Sequence, residues 1–343
     1  MTNSLAQIIQ KADHWRGSSP TRQLDGMQVP FKEWQHFVIF GENWVLVFNL
    51  NLDAALDDNR HGAKARVITI LSDEQWSGEV HKCDEPEIRR GAIDARFADA
   101  GMRWRDGAYE IWQHGSGVTL EITLKPASIP SLTHNIPLGA GSHLSWCLLP
   151  RLSASGWVRV DGKKVSFQEL GAYHDHNWGR FHWGGNFSWE WGCAFPSQTH
   201  NPWTLVFARM NSKDRNATTA TSAFLVHRGR HLRYFRNAEV ELTASAKRDS
   251  RIAGRIPNSA ALLLPDEDRD VPESTIVNAS KGADWLNAEI VSTTRGQVLV
   301  PSELDYCKVV RLNEASARVK VVGRCAGHDI DFAGPGLLEV VCV

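Results

Sequence analysis

The sequence predicts an all-β protein of two antiparallel barrel or sandwich units in tandem. Three observations carry that expectation. Short apolar runs recur along the chain with turn residues between them, as in sandwiches and barrels. Helical periodicity is confined to short stretches. The length of 343 residues exceeds one ordinary domain of about 100–200 residues and suits two.

The elements follow in order. SLAQIIQKADHW reads as one short N-terminal helix capped by Ser4. EWQHFVIFGENWVLVFNLNL gives two strands around a Gly-Glu-Asn turn, and AKARVITILSDEQWSGEVHKC repeats the pattern around Ser-Asp-Glu. AIDARFADAGMRWRDGAYEIWQHGSGVTLEITLKPA gives three strands, turning at Asp106-Gly107 and at Gly115 to Gly117. GWVRVDGKKVSFQE is a further hairpin at Asp161-Gly162, since Asp-Gly between alternating residues favours a two-residue turn. TLKPASIPSLTHNIPLGAGSH, rich in proline and without period, reads as a long loop. The second half continues with strands, a turn or two of helix in PSELDYCKVVRLNEA, and a polar surface excursion at PDEDRDVPES.

Composition excludes several functions. With 38 basic and 39 acidic residues the formal charge is -1, so no net field draws nucleic acid or anionic lipid. No apolar run is long enough to cross a membrane as a helix, and the first residues lack the apolar core of a secretory leader; a cytoplasmic location is expected. The six cysteines have no CxxC spacing, which argues against a zinc ribbon or redox dithiol and for buried free thiols. Tryptophan is in excess, 14 against 4 tyrosines. That fits an aromatic core, and equally a cavity for a flat or unsaturated ligand.

One window, AYHDHNWGRFHWGGNFSWEWGCAF, concentrates the chemistry. If Tyr173 to Trp178 is extended, Tyr173, Asp175 and Asn177 share one face and His174, His176 and Trp178 the other. Two histidines at i and i+2 can reach one zinc, but no spacing rule selects a third ligand among His182, His143 and Glu190, and no metal is assigned. Asp175 between the histidines is a candidate acid: an indole-lined site desolvates its charged form. Its plain alternative is to orient a histidine or cap a turn. In FSWEWGCAF, Trp189 and Trp191 fall on an aromatic face, core or cavity wall, while Glu190 points away to a partner such as Arg180 or a histidine. Indole faces attract cations and would stabilise a carbocation. Trp178, Trp183, Trp189 and Trp191 are the candidate wall, with Trp104 and Trp112 from the first half.

YHDHNWG followed by the Trp-rich strand resembles the signature of the carotenoid 1,2-hydratase family and its wider lipocalin-like superfamily, with tocopherol cyclase-like and Diels–Alderase-like members. The closing GPGLLEVVC is also similar. The resemblance implies two lipocalin-like β-barrel domains, 1–170 and 171–343, with residues 173–179 at their junction. It implies apolar isoprenoid or polyene substrates and no cofactor. It also implies Asp175 as the acid that protonates a double bond, with His174, His176, Tyr173 and Trp178 as its shell and Asn177 placing it or a water. A hydratase or cyclase is the leading expectation. A pericyclase or isomerase, and a non-catalytic carrier of an apolar ligand, are the alternatives. The expected partner is the small molecule alone, taken up through transient contact with a membrane surface.

Overall fold

The computed structural model describes residues 4–17, 22–24, 27–53, 64–73, 75–84, 86–139, 141–198, 200–246, 254–256, 271–305 and 307–342. Most of the expected excursion PDEDRDVPES lies outside them. The chain is all-β, as expected, and divides into two compact units. The first is Met1–Ile39, Leu46–Leu71 and Gly78–His182; the second is Phe40–Val45, Ser72–Ser77 and Trp183–Val343.

The first unit begins with α1 (Leu5–Ala12). Ser4 Oγ accepts from the Gln7 backbone N–H, and Gln7 returns a bond to the Ser4 N–H, a reciprocal cap that satisfies two helix-end donors. The described strands then run β1 (Arg22–Leu24), β2 (Met27–Val29), β3 (Phe31–Phe40), β4 (Trp44–Asp53), β5 (Lys64–Asp73), β6 (Gln75–Cys83), β7 (Glu87–Ile88), β8 (Asp94–Phe97), β9 (Ala100–Arg105), β10 (Ala108–His114), β11 (Val118–Pro126), β12 (Ser131–Pro137), β13 (His143–Val160) and β14 (Lys163–Arg180). Strands β3 to β14 form one antiparallel sheet in the order β6-β5-β4-β3-β14-β13-β11-β10-β9-β8-β7, with β12 also on β13. Asp106-Gly107 and Asp161-Gly162 both have positive φ at the two central residues, the geometry that joins right-twisted strands tightly. Two expectations change. The proline-rich loop contains β12, which pairs with β13 around a register shift; prolines at the margins of a strand are tolerated where no ladder donor is needed. The division expected at 170/171 falls inside β14, which continues unbroken to Arg180, so the units part at His182 and Trp183.

The second unit contains β15 (Ser188–Ala194), β16 (Trp203–Asn211), β17 (Thr218–His227), β18 (Arg230–Arg236), β19 (Val240–Ala244), β20 (Gly254–Ile256), β21 (Ser274–Lys281), β22 (Asp284–Pro301), β23 (Val309–Cys325) and β24 (His328–Cys342). Its sheet order is β18-β17-β16-β15-β24-β23-β22-β21-β19, with β20 parallel to β22. Its core gathers Leu205, Phe207, Leu225, Phe235, Leu338 and Val340; a fully buried side chain of this kind contributes roughly 1.5–3 kcal/mol. Among the described residues of PSELDYCKVVRLNEA no helix forms, because the β-branched pair Val309-Val310 opens β23 and pairs with β22. The cysteines are free, all buried except Cys307. Among the described residues no helix is long and apolar enough to cross a membrane.

Candidate active site

Strand β14 sits between β3 and β13 and is buried from Ala172 to Asn177. Its alternation sorts the YHDHN motif onto two faces, and each face meets different partners.

On one face, Asp175 is 5% exposed and accepts three hydrogen bonds. Tyr173 O–H donates to Oδ2 at 2.8 Å, the Trp146 indole N–H donates to Oδ2 at 3.1 Å, and the Asn177 amide donates to Oδ1 at 2.6 Å. Tyr173 and Asn177 reach it because residues two apart on a strand share a face. Trp146 reaches it because β13 pairs Trp146 with Asn177 and Leu148 with Asp175. Across β3, the residue opposite Asp175 is His36. Burial, and then the charge of His174, push the His36 imidazole down to about 3. That agrees with its Nδ1 facing the Asn49 amide at 3.1 Å, since only a neutral ring can accept there. Asn51 in turn donates to Asn49 Oδ1 at 2.7 Å.

The other face carries His174 and His176, both without accessible surface, in an ion cluster. Asp13, just after α1, lies 2.9 Å from His174 Nε2 through Oδ2 and 3.0 Å from His176 Nδ1 through Oδ1. Tyr109 O–H donates to Asp13 Oδ2 at 2.5 Å. Glu33 Oε1 meets His176 Nε2 at 2.7 Å and accepts from the Arg16 backbone N–H, while Oε2 accepts from Gly17. Burial pushes the Asp13 carboxyl up, but the charge and hydrogen bond of His174 and the close contact of His176 outweigh it and hold Asp13 well below the usual carboxylate range. Burial pushes His176 down, and its close contacts with the Asp13 and Glu33 carboxylates outweigh it, leaving it raised. Burial and then the Asp13 charge push Tyr109 far up.

This arrangement corrects the sequence-level geometry. Neither His174 nor His176 orients Asp175: a strand points them away from it. Their ring nitrogens face groups of the protein. His174 Nδ1 faces the His36 carbonyl at 2.9 Å and its Nε2 faces Asp13, while both His176 nitrogens face carboxylates and its Nδ1 also meets Arg16 Nη1 at 3.3 Å. Among the described residues no group of three or more candidate ligands forms a metal site. His143 pairs instead with Arg180 across β13 and β14. Trp178 is on the histidine face, and its ring is covered by the Arg16 guanidinium at 3.4 Å, so its cation-binding surface is taken.

The tryptophans do not form one wall. Trp104 stacks edge-on against Tyr109, 4.8 Å between centroids, on the histidine side. Trp112 is half-buried on the opposite side of that hairpin, over Gly101 and beside Arg103. In the second unit Trp183 and Trp189 are 5.8 Å apart and Phe187 stacks on Trp189 at 5.7 Å. Trp191 shares the Trp189 face of β15. Both faces of β15 are buried: the cluster of Leu205 and Phe207 packs on the side of Gly192 and Ala194, where any side chain at 192 would meet the Phe207 ring. On the indole side, Trp189 donates to Glu339 at 2.5 Å, and burial pushes Glu339 up, partly offset by bonds from Glu314 and Trp189. Glu190 lies on the core side and is held by Arg209 Nε at 2.7 Å, not by Arg180 or a histidine. Gly184 and Gly185 lie in the turn between β14 and β15.

Trp146, His36, Asp13, Glu33 and Tyr109 were not selected from sequence. The clue lay in β3, whose ten residues are all buried although Lys32, Glu33, Gln35 and His36 are polar.

No protein-family model matches the chain, and no curated protein matches it by sequence. Solved structures do. A protein assigned as AttH from Nitrosomonas europaea matches with a TM-score of 0.63 at 15% identity, covering 93% of each chain. Kievitone hydratase from Nectria haematococca matches at 0.60 and 14%, covering 97% of this chain and 92% of that one. CghA with Sch210972 matches at 0.52 and 10%, covering 92% and 89%. The chain shares the lipocalin-like fold of these structures. At these identities the likeness speaks for the lipocalin-like fold and leaves the chemistry to the site.

Proposed function

We propose that the chain is a cofactor-independent enzyme that adds water to, or closes a ring across, a carbon–carbon double bond of an apolar terpenoid- or polyene-like substrate. The observation that carries this reading is the Asp175 carboxyl, buried and gripped by Tyr173, Asn177 and Trp146. A carboxylate accepts all three bonds. Once Asp175 takes up a proton, Trp146 can still only donate, whereas the Tyr173 hydroxyl can turn and accept, and the Asn177 amide accepts only by presenting its oxygen in place of its nitrogen. Tyr173 thereby lets Asp175 pass between acid and base by a hydroxyl rotation alone, while Trp146 fixes its plane. The likeness to a hydratase supports the same reading.

In the hydration, Asp175 gives its proton to one alkene carbon and a cation forms at the other. Water attacks that cation, and its surplus proton returns to Asp175. In a cyclisation an internal double bond attacks instead, and Asp175 recovers a proton from the neighbouring carbon. Indole faces are suited to such a cation; Arg16 covers Trp178, and within the first unit Trp146 is the indole held against Asp175. The protein works in the cytoplasm and takes its substrate from a membrane surface.

A pericyclic reaction is the second reading, favoured by the likeness to CghA. Turnover of prenylated and polyene alkenes in deuterated water separates the two. Protonation-initiated chemistry places solvent deuterium on carbon; a cycloaddition yields a ring with none. Quenching of tryptophan fluorescence without any product would instead identify a carrier.

A further inference from the structure

Beside His176, three side chains with no accessible surface hold four polar atoms that lack an aligned hydrogen-bond partner among the described residues: Trp15 Nε1, Gln35 Oε1 and Nε2, and Asp13 Oδ1. They surround one imidazole. The Trp15 and His176 rings lie 5.9 Å apart. Gln35 faces His176 directly across the β3–β14 pairing. Asp13 Oδ1 is 3.0 Å from His176 Nδ1, close enough for an ion pair but outside hydrogen-bonding alignment. Buried polar groups left dry are costly, and native proteins pair them with protein atoms or with enclosed water.

The atoms define their own ligand. Trp15 and the Gln35 amide nitrogen need an acceptor; the Gln35 and Asp13 oxygens need donors. A carboxylate or phosphate would accept from the first two but repel Asp13. A cation would suit Asp13 but clash with the indole and amide N–H groups. An apolar ligand would satisfy none of the four. A water molecule accepts twice and donates twice, and enclosed water is the usual partner of buried polar atoms that no protein group reaches. We propose that the first unit contains a binding site for one enclosed water, held by Trp15, Gln35 and Asp13 against His176. This water ties the chain after α1 to β3, and it hydrates the one carboxylate on which His174, His176 and Tyr109 converge.

The test uses the full-length protein. A nuclear Overhauser experiment reads transfer between the Trp15 indole proton and water; a cross-peak of the sign given by a long-lived bound water is expected, and no cross-peak overturns the site. Gln35→Met and Trp15→Phe each keep the apolar bulk and remove the polar atoms. With the water in place each lowers Tm, on the order of 2–4 °C. A Tm that stays level or rises in Gln35→Met means the amide was a dry orphan, and the proposal fails.

Discussion

Along β14, Tyr173, Asp175 and Asn177 turn to one side, and His174, His176 and Trp178 to the other. On the histidine side every charge has an opposite charge beside it: Asp13 and Glu33 answer His176, and Arg16 caps Trp178. Such a cluster is closed, and its charges are balanced within the protein. On the Asp175 side the described partners of the carboxyl, Tyr173, Asn177 and Trp146, carry no formal charge, and the histidine across from it is kept neutral. An acid destined to exchange protons needs that second kind of surrounding, because a neighbouring imidazolium would fix it as a carboxylate. The same six residues therefore teach that clustering in sequence is not clustering in chemistry.

Removing one partner from the closed side should give the largest stability effect. Asp13→Ala leaves the buried His174 without a carboxylate and His176 with Glu33 alone, and a cost of about 3–5 kcal/mol is expected, read as the loss of unfolding free energy in denaturant titrations. Tyr173→Phe should spare stability within about 1–2 kcal/mol but reduce turnover by roughly 10²-fold, the low end for a proton-transfer partner. Trp146→Phe, which removes one donor and no proton path, should reduce it less. If Trp146→Phe is the more damaging, Tyr173 is not the proton-switching group.

The two sides also differ in how pH acts on them. His36 falls from its usual 6.5 to about 3 in the folded protein. Its contribution to stability is present above pH 6.5 and is lost as pH falls toward 3. Asp13 is depressed as well, so its contribution disappears at still lower pH. His176 is raised, so its contribution is complete below 6.5 and lost as pH climbs through its elevated pKa. Thermal melts should therefore weaken at both ends. His36→Gln should flatten the acid limb between pH 6.5 and 4 while leaving the alkaline limb unchanged. The smallest effect is expected for Trp112→Ala, half-buried and remote in chain and face from Asp175, which should leave turnover within twofold.

Much of the fold was legible because local chemistry decides it. Asp106-Gly107 and Asp161-Gly162 each set a hairpin, and Ser4 with Gln7 closes a helix start. The strand β12 was not legible, since its prolines obscure an edge pairing that only β13 supplies. At the site, the period of two placed Tyr173, Asp175 and Asn177 together correctly from the residues alone. What no period can show is the partner across the sheet. Trp146 is 29 residues from Asp175 and Asp13 is 161 from His174, so their roles arise from strand register and not from spacing. The aromatic face of β15 is buried, and so is its small-residue face, where Gly192 makes room for the Phe207 ring, a second buried side that the alternation alone does not reveal.

The most direct test sets Asp175→Asn beside Asp13→Asn and measures turnover and Tm for both. A working acid on one face and a structural ion cluster on the other predict opposite profiles: Asp175→Asn loses turnover by at least about 10²-fold with Tm near wild type, and Asp13→Asn loses Tm while the folded fraction keeps its turnover. Wild-type turnover in Asp175→Asn, or a catalytic loss in folded Asp13→Asn as deep as that of Asp175→Asn, would contradict the division between the two faces.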